Sequence, residues 1–131
     1  MSGRLEHPSL YQASDGAPLL AGCRCAACGY VGFPFQNFGC EKCGGADLAP
    51  AQLRARGVLV SFAHVHRHAG KDIAAPFAIG EIRLDDGPLI RCTLASGAQA
   101  QFVGQTMVGV LEHNPASEPD VRELRFEAER A

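Results

Sequence analysis

The chain has 131 residues, with twelve Lys plus Arg against fourteen Asp plus Glu and a formal net charge of -2. That length supports one domain or two very small ones, and a near-neutral balance with no basic block weighs against a surface that tracks a nucleic-acid backbone. No apolar run of membrane-spanning length occurs, and with no Trp the chain offers few rings on which bases could stack.

Residues 1–22 read as an N-terminal arm. Pro8, Gly16, Pro18 and Gly22 keep regular structure short. Leu10 with Tyr11 suits a helical turn, and Leu19 with Leu20 a short strand. A free arm of this kind is expected to order against a partner. No basic start followed by an apolar run marks a secretory signal. The expectation is therefore a reducing, cytoplasmic compartment, where paired cysteines bind metal more often than they form disulfides.

Residues 23–45 hold Cys25-x2-Cys28 and, after eleven residues, Cys40-x2-Cys43. Each pair places two thiolates in one short turn, so the two together can grip a tetrahedral ion. Gly29 and Gly44 follow the pairs, where the chain must turn back beneath the sulfurs. The spacing predicts a rubredoxin-like ribbon with Cys25, Cys28, Cys40 and Cys43 as metal ligands. Zinc is the default, with iron the alternative for a four-thiolate site. Cys23 is expected as a small buried residue or free thiol. Tyr30 to Gly39 should form two short strands and a turn. Its rings, Phe33, Phe35 and Phe38, either cover the seam with the following domain or dock a partner.

Residues 46–57 are expected as a linker, with Arg54 and Arg56 as solvated charges. From Val58 the apolar period becomes two, and residues 58–131 read as a second unit. A first strand runs from Val58 toward His66, with Val58, Val60 and Phe62 on one face and Leu59, Ala63 and Val65 on the other. A loop over 67–76 follows, then a strand over 77–84 in which Gly80 marks a bulge or bend. Asp85-Asp86-Gly87-Pro88 forms a turn and leads to a strand over 89–94. After Ser96-Gly97 come a strand over 106–112, a polar loop to Asp120 and a closing or edge strand over 121–127. Five short strands fit a Greek-key barrel of the OB type better than a sandwich, which needs about seven. The fold class is all-β: a zinc ribbon, then a five-stranded OB barrel.

Catalytic signals are sparse. His64, His66 and His68 alternate on one strand face, about 6.5–7 Å apart per step, and would need a third group such as Asp72 or Glu81 to hold a metal. Cys92 lies in an apolar run and reads as a core cysteine. Its alternative is a nucleophile paired with a histidine. Glu81 is the one mid-strand carboxylate. No nucleophile elbow, phosphate loop or HExxH is present, so the sequence assigns no catalytic residue.

The order of these motifs resembles the DUF35 family. The resemblance runs from about Leu19 to Phe126. It rests on Cys25-Ala26-Ala27-Cys28-Gly29, Phe33-Pro34, Cys40-Glu41-Lys42-Cys43-Gly44 and Phe77-Ala78-Ile79-Gly80-Glu81-Ile82, continued through Arg83-Leu84-Asp85-Asp86-Gly87-Pro88-Leu89-Ile90. The chain departs from the family's F-P-P-R at Phe35-Gln36, and Gly104 lies earlier than the family pattern has it. The resemblance implies a rubredoxin-like zinc ribbon joined to an OB fold, with the four cysteines on zinc. It implies a non-catalytic accessory subunit in a hetero-oligomer with a thiolase-like protein, including thiolases of the benzylsuccinate route. The partner would supply the catalytic cysteine and histidines and act on an acyl-CoA. This chain would scaffold and help form the acyl-CoA channel, with Arg24, Lys42, Arg54 or Arg56 as candidates to meet CoA phosphates. The rival readings are a nucleic-acid-binding ribbon plus OB module and a rubredoxin-like electron carrier.

Overall fold

The computed structural model describes residues 4–5, 7–15, 17–66, 77–95, 102–113 and 121–129, and among them every regular element is a strand. None forms a helix long and apolar enough to cross a membrane.

The first sheet is built on β3 (Leu19–Cys25), which carries the chain into the first cysteine pair. One edge of β3 pairs antiparallel with β5 (Leu48–Arg54) over seven residues, from Leu19↔Arg54 to Cys25↔Leu48. The other edge is shared by β2 (Tyr11–Gln12) and β4 (Val31–Gly32). Residues 48–54, expected as a linker, are thus a full strand. Their composition gave no strand signal, because Ala, Pro and Gln are weak β formers. Pairing with β3 imposes the extended shape, and Pro50 is tolerated because β5 is an edge strand. Between the cysteine pairs only β4 forms, in place of the two strands expected there.

A single residue, Ala55, separates β5 from β6 (Arg56–Val65), the first strand of the second sheet. Next come β7 (Phe77–Leu84), β8 (Leu89–Thr93), β9 (Thr106–His113) and β10 (Val121–Ala128). All five were expected from the period-two pattern, within two residues at each end. Hydrogen bonding runs β10-β9-β6-β7-β8. The sheet then curls until its ends meet at a parallel bridge, Leu94↔Phe126, where Ala95 N–H donates to the Phe126 carbonyl at 2.9 Å. Sequence neighbours pair first and the last strand inserts between the third and the fourth, which is the OB order. The His68 and Asp72 positions, the Ser96-Gly97 turn and the loop up to Asp120 lie outside the described residues.

Three local expectations change. The bulge falls on β6, between Leu59 and Ser61, not at Gly80. Val60 is the extra residue, so Val58 and Val60 are both exposed while Phe62 joins Leu59 against the core. Gly80 instead marks a close approach: a Cβ there would lie 2.8 Å from the Leu59 side chain and 3.0 Å from Leu94. Finally, β10 is not an edge strand, because β9 pairs along one side and β1 (Arg4–Leu5) pairs parallel on the other.

The hydrophobic core runs without a break from one sheet to the other. Leu20 and Leu53 from the first sheet, Ala55 at the junction, and Leu59, Ile82, Met107 and Phe126 from the barrel are all buried within one cluster. Each of the large side chains contributes about 1.5–3 kcal/mol by leaving water. The N-terminal arm joins this core: His7 accepts backbone bonds from Leu10 and Tyr11 in a tight turn, and Tyr11 is buried. Among the described residues of the arm, which was expected to await a partner, Tyr11 packs into its own chain's core.

Candidate metal centre

The two cysteine pairs fold as near copies of each other. In the first, Gly29 N–H donates to the Cys25 carbonyl at 2.8 Å and Cys25 N–H to the Tyr30 carbonyl at 2.9 Å. In the second, Gly44 N–H donates to the Cys40 carbonyl at 2.9 Å and Cys40 N–H to the Gly45 carbonyl at 2.8 Å. Gly29 and Gly44 have φ of 79° and 78°, a left-handed conformation that glycine alone adopts without a steric penalty. The sequence placed both glycines for this reason.

These turns bring four sulfurs together. The Sγ atoms of Cys25, Cys28, Cys40 and Cys43 all lie within 4.8 Å of one another. Cys25 Sγ to Cys43 Sγ and Cys28 Sγ to Cys40 Sγ are each 3.6 Å. A tetrahedral ion with metal–sulfur bonds of about 2.3 Å holds its sulfurs about 3.8 Å apart, whereas a disulfide needs about 2.05 Å. The contacts fit the ion and not the bond. The four cysteines could therefore hold a metal ion.

Backbone donors prepare the site for thiolates. Lys42 N–H and Cys43 N–H point at Cys40 Sγ at 3.4 and 3.5 Å, and Gly45 N–H points at Cys43 Sγ at 3.4 Å. The Cys43 N–H above all, with help from Lys42 N–H, holds the Cys40 thiol down to about 6. Cys28 behaves oppositely. The backbone bond at Tyr30 lowers it, but burial and the three neighbouring thiols together push it up to about 11. Four thiolates crowded this closely repel one another unless a cation sits among them.

The other sulfurs are apart from this cluster. Cys23 is buried and outside the four-sulfur group. Cys92 keeps some exposed surface as a residue, yet its Sγ rests 3.5 Å from the Leu124 carbonyl and burial pushes its thiol up to about 12. That is a core cysteine and a poor nucleophile.

The remaining candidates are dispersed. His64 and His66 are exposed and stack with ring centres 6.4 Å apart, and Phe62 meets His64 edge-on. The four-cysteine cluster is the one group of three or more metal-binding side chains among the described residues. Glu81 is engaged on the barrel surface, accepting from Ser61 Oγ at 2.7 Å and Arg91 at 3.1 Å, and the Ser61 bond first, then Arg91, holds its carboxyl below the usual range. Arg56 is no free charge either: it clamps Asp85 at 2.8 Å and Glu129 at 2.9 Å. Arg54 uses its backbone N–H to reach Asp86, and Arg24 and Lys42 are exposed.

One side chain that fixes the loop before Cys40 had no sequence signal: Gln36. Its Oε1 accepts from the N–H groups of Phe38 at 2.7 Å and Gly39 at 3.2 Å, and its Nε2 donates to the Gly39 carbonyl at 2.6 Å. The loop so fixed runs straight into Cys40 and leaves Phe38 94% exposed. Phe35 is 40% exposed, while Phe33 packs against the core. Of the three rings, Phe33 thus packs inward and Phe38 stands out in solvent.

Comparison with known proteins agrees with the fold. Residues 51–111 match the family model of the C-terminal OB-fold domain of ChsH2. Benzoylsuccinyl-CoA thiolase subunit BbsA of Thauera aromatica is 36% identical over 99 residues, 73% of this chain and 66% of that subunit, so the chain spans just under two thirds of its relative's length. Among solved structures, the Ltp2-ChsH2(DUF35) aldolase superposes with a TM-score of 0.67 at 21% identity over 84% of each chain. A DUF35 protein of unknown function from Sulfolobus solfataricus superposes less well, at a TM-score of 0.49 and 18% identity over 81% of this chain and 75% of that one.

Proposed function

Because the chain belongs to the DUF35 family, we propose that it is a non-catalytic accessory subunit of a thiolase-type enzyme acting on an acyl-CoA. The partner carries the nucleophile and performs thiolytic carbon–carbon cleavage or the reverse condensation. This chain scaffolds the partner and borders the acyl-CoA channel. Cys25, Cys28, Cys40 and Cys43 hold structural zinc, which fixes the loop between them. Residues 23–45 serve as the docking ribbon and residues 58–131 as the barrel that carries it.

The observation that supports this most directly is the display of Phe38. An isolated exposed ring is unremarkable on a flexible loop. Here Gln36 and the Cys40 turn hold the ring out in one place. A pre-organised aromatic knob loses little entropy on binding and is a common anchor of protein interfaces. The 36% identity to a protein named as a thiolase subunit supports the choice of partner.

The test is co-expression with a candidate thiolase-type subunit. The two should co-purify with one zinc per copy of this chain, and thiolysis should require both. Phe38→Asp should separate them while leaving the metal in place. A chain that stays alone beside that subunit, or a partner fully active without it, would refute the assignment.

A further inference from the structure

The ribbon sheet has two faces, and only one of them is spent on the core. Tyr11, Leu20, Leu53 and Ala51 turn to the core side. Successive residues of a strand point to opposite faces, so Leu19 and Ala21 of β3 turn the other way and stay half-buried. The register sets a glutamine beside each of them on a neighbouring strand: Gln12 opposite Leu19 on β2, and Gln52 opposite Ala21 on β5. Both glutamines are exposed.

This outer face carries a groove of about 340 Å³, lined among others by Pro8, Gln12, Ala21, Phe35 and Gln52. The backbone of Ala21 ties its surroundings together: its N–H donates to the Leu10 carbonyl at 2.8 Å, and its carbonyl accepts from Phe35 N–H at 2.9 Å. The arm and the Phe35 ring, 40% exposed, are thereby held at the groove before anything binds. An apolar cavity of about 150 Å³ already takes up one benzene ring, so the space suffices for a ring and a polar group attached to it. The lining contains no Asp, Glu, Lys, Arg, His or Cys. Nothing there compensates a ligand's charge, and stripping water from an unpaired charge is costly. A carboxamide side chain offers both donors and an acceptor, the complement of another amide. An apolar groove with a few such polar groups is the usual make-up of a small-molecule site.

We propose that this groove binds an uncharged small molecule in which an apolar ring or branched chain is joined to an amide. The apolar part lies on Leu19 and Ala21 against the Phe35 ring, and the amide exchanges hydrogen bonds with Gln12 or Gln52. This site is separate from the four-cysteine centre and does not depend on the partner assignment.

The experiment titrates the metal-loaded full chain with N-methylbenzamide, following the Ala21 methyl and the Gln12 and Gln52 side-chain amides by NMR. N-methylacetamide, which lacks the ring, and benzoate, which carries a charge in place of the amide, are titrated in parallel. A saturable shift with N-methylbenzamide in the millimolar range is expected, with both comparison compounds several-fold weaker. Ala21→Phe fills the floor and should abolish binding. The double variant Gln12→Leu, Gln52→Leu changes only exposed side chains, so it stays informative if Ala21→Phe fails to fold. It should weaken N-methylbenzamide about two- to tenfold, the value of one hydrogen bond. Leu89→Ser, a surface change on the barrel, should bind normally. The site is refuted if no saturable shift occurs up to tens of millimolar, if either comparison compound binds as tightly, or if the glutamine variant binds as well as the native chain.

Discussion

Gly109 N–H donates to the Ala55 carbonyl at 2.7 Å, and a Cβ on residue 109 would stand 2.6 Å from the Ala55 Cβ. Ala55 is the one residue between the last strand of the ribbon sheet and the first strand of the barrel, and it is fully buried. The two sheets are therefore locked by a backbone contact that tolerates no side chain at 109. Gly109→Ala should destabilise the whole chain by about 1–3 kcal/mol through overpacking. Urea unfolding should show one transition at a lower midpoint with an unchanged slope. An unchanged midpoint would mean that the junction yields easily.

Loss of the four-sulfur centre should unfold the ribbon first. Structural zinc contributes about 10–16 kcal/mol of binding free energy in small zinc domains. Cys40→Ser, which removes the sulfur that receives two backbone N–H groups, should bind less than one metal per chain. It should also become protease-sensitive between residues 23 and 45. A cobalt-loaded native chain should show the sulfur-to-metal charge-transfer absorption of a four-thiolate tetrahedron. Full metal content in Cys40→Ser would rule this residue out as a ligand.

The Cys92 thiol, pushed up to about 12 by burial, should resist thiol reagents at pH 8 as long as the chain is folded. Labelling should appear only above the urea midpoint, and Cys92→Ala should leave metal content unchanged. Rapid modification of Cys92 in the folded protein would reopen the nucleophile reading.

Acid should loosen the barrel through its paired carboxylates. Arg56 holds the Glu129 carboxyl below its ordinary range, and Ser61, then Arg91, do the same for Glu81. A carboxyl depressed in the folded state contributes stability above its unfolded pKa and loses it as pH falls through the folded one. The loss should therefore begin near pH 4.3, the ordinary value for Glu, and deepen below it. Glu129→Gln together with Glu81→Gln should flatten the decline in melting temperature below that pH. An equally steep decline in the double variant would place the acid sensitivity elsewhere.

The sequence alone determined the four-cysteine cluster and the barrel strands, because both rest on local rules. Two Cys-x2-Cys-Gly units dictate two turns with positive φ at Gly29 and Gly44, wherever the rest of the chain goes. Period-two apolarity marks strands in isolation, and the turn at Asp85-Asp86-Gly87-Pro88 fixes the hairpin between β7 and β8. Only the tertiary structure decided what depends on distant partners. Residues 48–54 became a strand because β3 offered them an edge, not through their own propensity. Val60 bulged because β6 must curve to meet both β7 and β9, and that bulge sent Phe62 inward and left Val58 and Val60 outside. The fates of Phe33, Phe35 and Phe38 were equally illegible, since identical rings differ only in what the fold packs around them. Gln36 was invisible for the same reason, since it matters through three bonds to a loop. Among the described residues, what local backbone chemistry imposes was readable in advance. What packing and hydrogen-bond satisfaction impose was not.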